Sequence, residues 1–285
     1  MVRTIAASEL IAQWDEVYRI DITPEFRGVR EVALWRCGDC GVCFFAPQWL
    51  VGSPWMYEQL AKRGGYYVTE KWEYDAALQD LRGRRRALEV GCGAGEFIAL
   101  AREREGLLVE GLEQNPTAVA EAKKRGLCVR ALTVEDAAKE SPGAYDAICS
   151  FQVLEHVQRP KEFLDACCAL LQPGGLLALA VPNQDGFVRY LGQPLDMPPH
   201  HMTRWTRKPF HRLQSHFPLR LVRTAYEPLS LGHVEMFVGS YAGILVRRRL
   251  GFFVRPWMYS GGIRFARRFR KFLRGHSIYV CYVRA

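Results

Sequence analysis

From residue 86 to residue 181 the chain alternates short apolar runs with stretches whose apolar positions recur at helical spacing. Runs this short and this apolar fit strands covered on both faces, and their alternation with helical stretches is the pattern of βαβ units around a parallel sheet. Arg86–Val90 predicts the first strand, Leu107–Leu112 the second, Leu127–Leu132 the third, Tyr145–Phe151 the fourth and Leu176–Val181 the fifth. Phe97, Ile98 and Ala101 share one face of a helix from Glu96 to Glu105. Asn115 can cap a helix that Pro116 starts and Gly126 ends, and Pro160–Leu171 reads as a helix stopped by Gln172-Pro173-Gly174-Gly175. The expected core is α/β, a mostly parallel central sheet with helices on both faces.

The flanks are less rhythmic. Residues 1–35 mix polar and apolar positions without a clear period. Cys37-Gly-Asp-Cys40-Gly-Val-Cys43, running into Phe44, Phe45 and Pro47, predicts a knuckle or short hairpin. Trp55 to Leu81 reads as two helices broken at Gly64-Gly65. The basic turn from Leu81 to Arg86 marks a boundary between an N-terminal helical and hairpin extension, 1–80, and the α/β domain, 81–285. Beyond Pro182, the Pro- and His-rich stretch 186–216 is expected to form a substrate loop, with helix returning between Thr206 and His216. Leu219–Leu229 and His276–Arg284 predict late strands, separated by a basic helical insertion that serves as a cap over 230–275.

Composition removes some classes of function. No apolar run approaches the roughly 18 residues of a membrane-spanning helix, and the opening residues lack the apolar centre of a secretory signal. The nine cysteines are odd in number and several sit in apolar runs, which suits reduced core residues of a cytoplasmic protein. The net charge of +9 is concentrated late: no acid follows Glu235, whereas eleven Lys or Arg do. A helix from Ile263 to Leu273 would put Phe265, Phe269 and Phe272 on one side with arginines at its edges. That face can cap the substrate pocket and bury its aromatics, the preferred reading, or bring residues 247–274 to an anionic membrane surface. Nucleic acid is a weaker partner, because no RNA- or DNA-binding module accompanies the charge.

The candidate chemistry begins where the first strand ends. Gly91, Gly93 and Gly95 lie at a strand-to-helix turn, where glycine permits a tight bend and close ligand approach. Such a loop suits a nicotinamide dinucleotide, FAD or S-adenosylmethionine (SAM). Glu113, just after the second strand, is placed to accept hydrogen bonds from ribose hydroxyls.

Together these motifs resemble the class I SAM-dependent methyltransferases with a Rossmann-like fold, particularly the small-molecule enzymes related to ubiquinone and sugar methyltransferases. The resemblance rests on Leu88-Glu89-Val90-Gly91-Cys92-Gly93-Ala94-Gly95, on Glu113, on Phe151-Gln152-Val153-Leu154-Glu155-His156-Val157 and on Leu171-Gln172-Pro173-Gly174-Gly175. It covers roughly residues 80–185; Pro198-Pro199-His200-His201-Met202-Thr203-Arg204-Trp205 resembles a motif of one branch. It implies that SAM is converted to S-adenosyl-L-homocysteine. The loop with Gly91, Cys92, Gly93 and Gly95 would cradle the methionine part, and Glu89 would anchor its amino group. Glu113 would hold the ribose, Gln114 would line the adenosine pocket, and Glu135 or Asp136 would approach the adenine amino group. Phe151 and Gln152 would contact the methionine end, through backbone or side chain. His156 would orient the loop near the donor or pack locally, and Tyr67 and Trp72 would close over the donor carboxylate or belong to the core. Related enzymes carry zinc on two Cys pairs; here Cys37, Cys40 and Cys43 have no second pair upstream, so a metal-free hairpin is preferred to a zinc site.

For the acceptor, methyl transfer requires alignment, and a hydroxyl acceptor also benefits from a base. His200 and His201 are the candidate catalytic bases, or else they orient their loop through hydrogen bonds. Tyr190 and Trp205 would wall the pocket or join the core. The leading expectation is methylation of a hydroxyl on a small biosynthetic metabolite. RNA or protein methylation, and a non-catalytic SAM-binding interaction protein, are the alternatives.

Overall fold

The computed structural model describes residues 1–63, 71–247 and 256–285. The N-terminal part runs β1 (Arg3–Ala6), α1 (Ala7–Tyr18), α2 (Thr23–Phe26), β2 (Glu31–Arg36), β3 (Cys43–Ala46) and α3 (Pro54–Lys62). Next come α4 (Trp72–Asp80), β4 (Arg86–Val90), α5 (Glu96–Glu105), β5 (Leu108–Leu112), α6 (Pro116–Lys124), β6 (Val129–Arg130) and α7 (Val134–Glu140). β7 (Tyr145–Phe151), α8 (Pro160–Leu170) and β8 (Leu171–Pro182) complete the parallel set. The chain ends with β9 (Thr203–Arg204), α9 (Arg207–Leu213), β10 (Leu219–Pro228), α10 (Val234–Arg247), α11 (Pro256–Phe269) and β11 (Arg274–Arg284).

Among the described residues the central sheet has the order β10-β11-β8-β7-β4-β5-β6, with β4 to β8 parallel and β11 antiparallel to both its neighbours. Alternation along each strand sorts the core into two layers. Ile148, Leu177, Leu179 and Val181 meet Phe163, Leu164 and Cys167 of α8 and Phe210 of α9. Ala147, Cys149, Ala178 and Ala180 face α4, α5 and α6, where Tyr74, Phe97 and Val119 fill the space that those small side chains leave. Asn115 caps α6 by accepting from the Thr117 N–H at 3.0 Å, and Gly126 closes the helix in the left-handed region, as the sequence implied.

Three differences from the sequence reading have local causes. The third strand shrinks to Val129–Arg130 because Leu127 is tied back to α6 by its N–H on the Ala122 carbonyl, and Thr133 caps the next helix. The fifth strand starts five residues early, at Leu171, with Pro173-Gly174-Gly175 absorbed as an irregularity in its pairing with β7. The unrhythmic first 35 residues are ordered: α1 buries only Ala7, Leu10 and Trp14, and β1 pairs with β2 in a short antiparallel ladder.

β2 and β3 form the expected hairpin, and their sheet continues to β9 in the order β1-β2-β3-β9. A strand from the late loop thereby joins the N-terminal sheet. Trp14, Leu34, Phe45 and Met56 close over Met197 and Met202 of that loop. At the other end, Ile263, Ala266 and Leu273 pack on Phe187, Val188, Leu229 and Val234. This turns Phe265 and Phe269 of α11 and Phe272 of the turn after it outward, correcting the expectation that they are buried: they are 58%, 44% and 86% exposed. Arg248, Arg249, Phe252, Phe253 and Arg255 of the same basic stretch lie outside the described residues. No described helix is long and apolar enough to cross a membrane.

Candidate active site

The donor loop leaves β4 with Gly91, Gly93 and Gly95 all left-handed, at φ 75°, 54° and 85°. The three glycines serve different ends. A Cβ on Gly91 would stand 2.4 Å from Val153 Cγ2, and one on Gly95 2.4 Å from Leu127 Cδ1, so both are needed for packing. A Cβ on Gly93 would meet nothing within 4 Å, so the middle of the loop faces open space. Glu113, at the end of β5, lies across this mouth: its carboxylate accepts from the Gly93 N–H at 2.9 Å and the Asn115 N–H at 2.7 Å. Glu89 is buried in β4, with Oε2 lacking a hydrogen-bond partner. Burial holds its carboxyl well above the usual range, while the Lys71 charge opposes that shift. A buried, unpartnered carboxylate is costly unless a cation meets it, and the ammonium of a bound SAM is such a cation. The open loop, the Glu113 carboxylate at its mouth and the orphaned Glu89 carboxylate together fit the donor.

Other residues expected at the donor divide by where their side chains go. Phe151 is buried edge-on to Tyr74 and Phe97, at 5.3 and 5.0 Å between ring centroids, so only its backbone can meet a ligand. Cys92 likewise turns inward beneath Gly111, and burial pushes its thiol up. Gln152 is left-handed at φ 58°, and its side-chain amide donates to Glu73 Oε1 at 2.9 Å and Ser277 Oγ at 3.2 Å. Gln114 is exposed beside Glu113. Asp136 is engaged by Thr133 Oγ1 and Lys139 Nζ, both at 2.9 Å, whereas Glu135 is half-buried. Trp72 packs edge-on to Tyr279 at 6.5 Å. Tyr67 lies outside the described residues.

The loop after β7 and the late loop bring three imidazoles together. His200 and His201 stack with centroids 4.6 Å apart, and His156 meets them edge-on at 4.5 and 4.7 Å. The loops are stitched by the Met202 and Thr203 N–H groups on the Glu155 carbonyl, at 2.8 and 3.0 Å. His156 Nδ1 contacts the His200 carbonyl at 2.7 Å and the Tyr57 hydroxyl at 3.1 Å. His200 Nδ1 contacts the Leu195 carbonyl at 2.8 Å, and His201 Nδ1 lies 3.5 Å from Asp196 Oδ1. Burial depresses all three rings, His156 to about 4 and the other two well below their ordinary value, so they are neutral near pH 7. Glu155 sits among them, pushed up to about 8 by burial. Trp205 belongs to the core, stacked on Phe210 at 5.0 Å, and Tyr190 instead pairs with Tyr241 at 5.8 Å.

With this geometry in view, residues 66–224 match the family described as "Methyltransferase domain", which is more than half of the chain. The chain belongs to the methyltransferase-domain family. Among curated relatives, a ubiquinone biosynthesis O-methyltransferase of Xanthomonas campestris pv. campestris is 38% identical over 118 residues, covering 39% of this chain and 48% of the relative. One from Xylella fastidiosa is 36% identical over 105 residues, covering 35% and 42%. The chain spans about half the length of the curated relatives it matches. A SAM-dependent methyltransferase from Archaeoglobus fulgidus shares the fold at TM-score 0.51, with 16% identity over 74% of this chain and 94% of that one.

Several residues of the candidate site carry no motif along the chain. Lys71 has its ammonium 5.6 Å from the Tyr74 ring centroid, and its charge acts on Glu89, Glu155 and His156. Glu73 holds Gln152, and Asp196 holds the late loop through Arg204 at 2.7 Å and Gln184 at 2.8 Å. Only Glu155 had a signal, its place beside His156 in a quoted motif. The cysteine knuckle is formed: the Gly41 N–H reaches the Cys37 carbonyl, and N–H groups of Cys40 and Asp39 lower the Cys37 thiol. Among the described residues it contributes to no group of three metal-ligating side chains; the one such group is His156, His200 and His201.

Proposed function

We propose that this chain transfers a methyl group from SAM to a hydroxyl oxygen of a small molecule held against the imidazole cluster. The observation that carries the reading is geometric: the strand that opens into the roomy Gly93 loop bears the orphaned Glu89 carboxylate, and the loop after β7 with Glu155 and His156 is bonded to the late loop through the Glu155 carbonyl. SAM supplies a methyl carbon made electrophilic by its sulfonium. Glu89 binds the ammonium end, Glu113 the ribose, and the backbone at Gly93 admits the methionine part. Glu135 serves the adenine edge, since Asp136 is already held by Thr133 and Lys139. On the acceptor side His201 or His200 takes the hydroxyl proton, for which burial keeps a neutral imidazole ready. Oxygen is favoured over other acceptors by these imidazoles and by the O-methyltransferase names of the curated relatives.

The test is incubation of the purified protein and methyl-labelled SAM with a cell extract, followed by mass spectrometry. Label on the oxygen of a small molecule is expected. Label confined to RNA or protein would overturn the reading. The outward aromatics of α11 support one addition, that the enzyme meets its acceptor at an anionic membrane surface.

A further inference from the structure

We infer that His156, His200, His201 and Glu155 form a binding site for a divalent first-row transition metal, with zinc the best fit. One ring nitrogen from each histidine lies within 4.8 Å of the others. Glu155 supplies the fourth group: its Oε1 is 3.8 Å from His156 Nε2 and 4.0 Å from His201 Nε2. Its Oε2 is buried with no hydrogen-bond partner, on a side chain only 2% exposed. Three imidazoles and one carboxylate are a donor set suited to zinc.

The surroundings resemble the outer shell of a metal centre. A ligating imidazole binds the ion through one nitrogen and anchors the other on a carbonyl or carboxylate. Here Nδ1 of His156, His200 and His201 is anchored on the His200 carbonyl, the Leu195 carbonyl and Asp196 Oδ1 respectively. That assigns the ligand role to Nε2 in each ring. Lys71 acts against a cation here, while Glu73 and Asp196 act for it. Tetrahedral zinc with nitrogens at 2.0–2.1 Å sets them roughly 3.4 Å apart, so loading draws the rings together by up to about 1.5 Å.

An Nε2 that holds an ion cannot also accept a proton, so the base role of His200 and His201 belongs to the metal-free protein and the ligand role to the loaded one. The site does not depend on the methyl-transfer reading, because its readout is bound metal. The full chain, purified without a histidine tag and stripped with a chelator, is reloaded with Zn²⁺ or Co²⁺. About one zinc per chain is expected, and the cobalt form shows visible ligand-field bands without a thiolate charge-transfer band. His201→Ala and Glu155→Gln each weaken zinc binding at least about tenfold, while Cys37→Ser with Cys40→Ser retains it. Absence of bound zinc in the unmodified chain, or a cobalt thiolate band that disappears with Cys37→Ser, overturns the assignment. The unmodified chain's cobalt spectrum decides the matter even if a variant fails to fold.

Discussion

Gly91 and Gly93 stand two residues apart in one loop with the same handedness of backbone, yet their replacement by alanine separates packing from binding. At Gly91 the left-handed backbone costs an alanine about 1–2 kcal/mol, and the crowding of Val153 adds about 1–3 kcal/mol. Gly91→Ala is therefore expected to lower the melting temperature by several degrees, read by calorimetry. Gly93→Ala carries the backbone cost alone, but its methyl enters the space left for the donor. Titration calorimetry should show SAM affinity reduced at least about tenfold, with the smaller loss of stability. SAM binding at unmodified strength would remove the loop from the donor site. Glu113→Gln tests the ribose contact: loss of charge-assisted hydrogen bonds of about 1.5–3 kcal/mol corresponds to a roughly 10- to 150-fold rise in Kd. A change under about threefold would leave Glu113 as a loop brace only.

At the scale of elements, the late loop is held by a buried pair rather than by regular structure. Arg204 lies 2.7 Å from Asp196 Oδ2, also reaches the Asp196 carbonyl, and stacks over Phe45 at 5.2 Å from the ring centroid. It sits in β9, the strand that ties the loop to the N-terminal sheet. Arg204→Ala takes the cation from the buried Asp196 carboxylate and leaves it Gln184 as a neutral donor, and breaking such a buried pair costs about 3–5 kcal/mol. Limited proteolysis should then cut within residues 183–202 before the central sheet yields; cleavage unchanged from the parent chain would show that the loop is secured elsewhere. The sequence showed the loop's histidines but not what holds them. β4 and β7 were legible to the residue because strands covered on both faces are mostly apolar and stand between polar turns, and α6 because Asn115, Pro116 and Gly126 mark its ends. β1, β2 and β9 were not, since strands of two to six residues carry too few alternations to be distinguished from loop. Lys71, Glu73 and Asp196 reach the site only through tertiary packing, which no spacing along the chain records.

At the scale of the molecule, the charge that the sequence placed late becomes a surface with a direction. One side of α11 is fixed by Ile263 and Ala266 against the core, so the opposite side must present Phe265, Phe269 and the following Phe272 to solvent. Arg264, Arg267, Arg268, Lys271 and Arg274 are exposed around them, and among the described residues the acid paired with these cations is Glu235, 3.9 Å from Arg267. Exposed phenyl rings among cations are costly in water and suited to the boundary of an anionic bilayer. There each ring gains about 1.5–3 kcal/mol on full burial, and each cation about 1 kcal/mol near the surface. The protein is therefore expected to float with vesicles containing anionic lipid, to bind purely zwitterionic vesicles far less, and to be released as salt rises, since the Debye length is then shorter. Phe265→Ser with Phe269→Ser and Phe272→Ser should abolish flotation while leaving SAM affinity unchanged, because these residues lie apart from the donor loop. Flotation that survives the triple substitution, or that is equal on zwitterionic vesicles, would return this face to the role of an ordinary solvated surface.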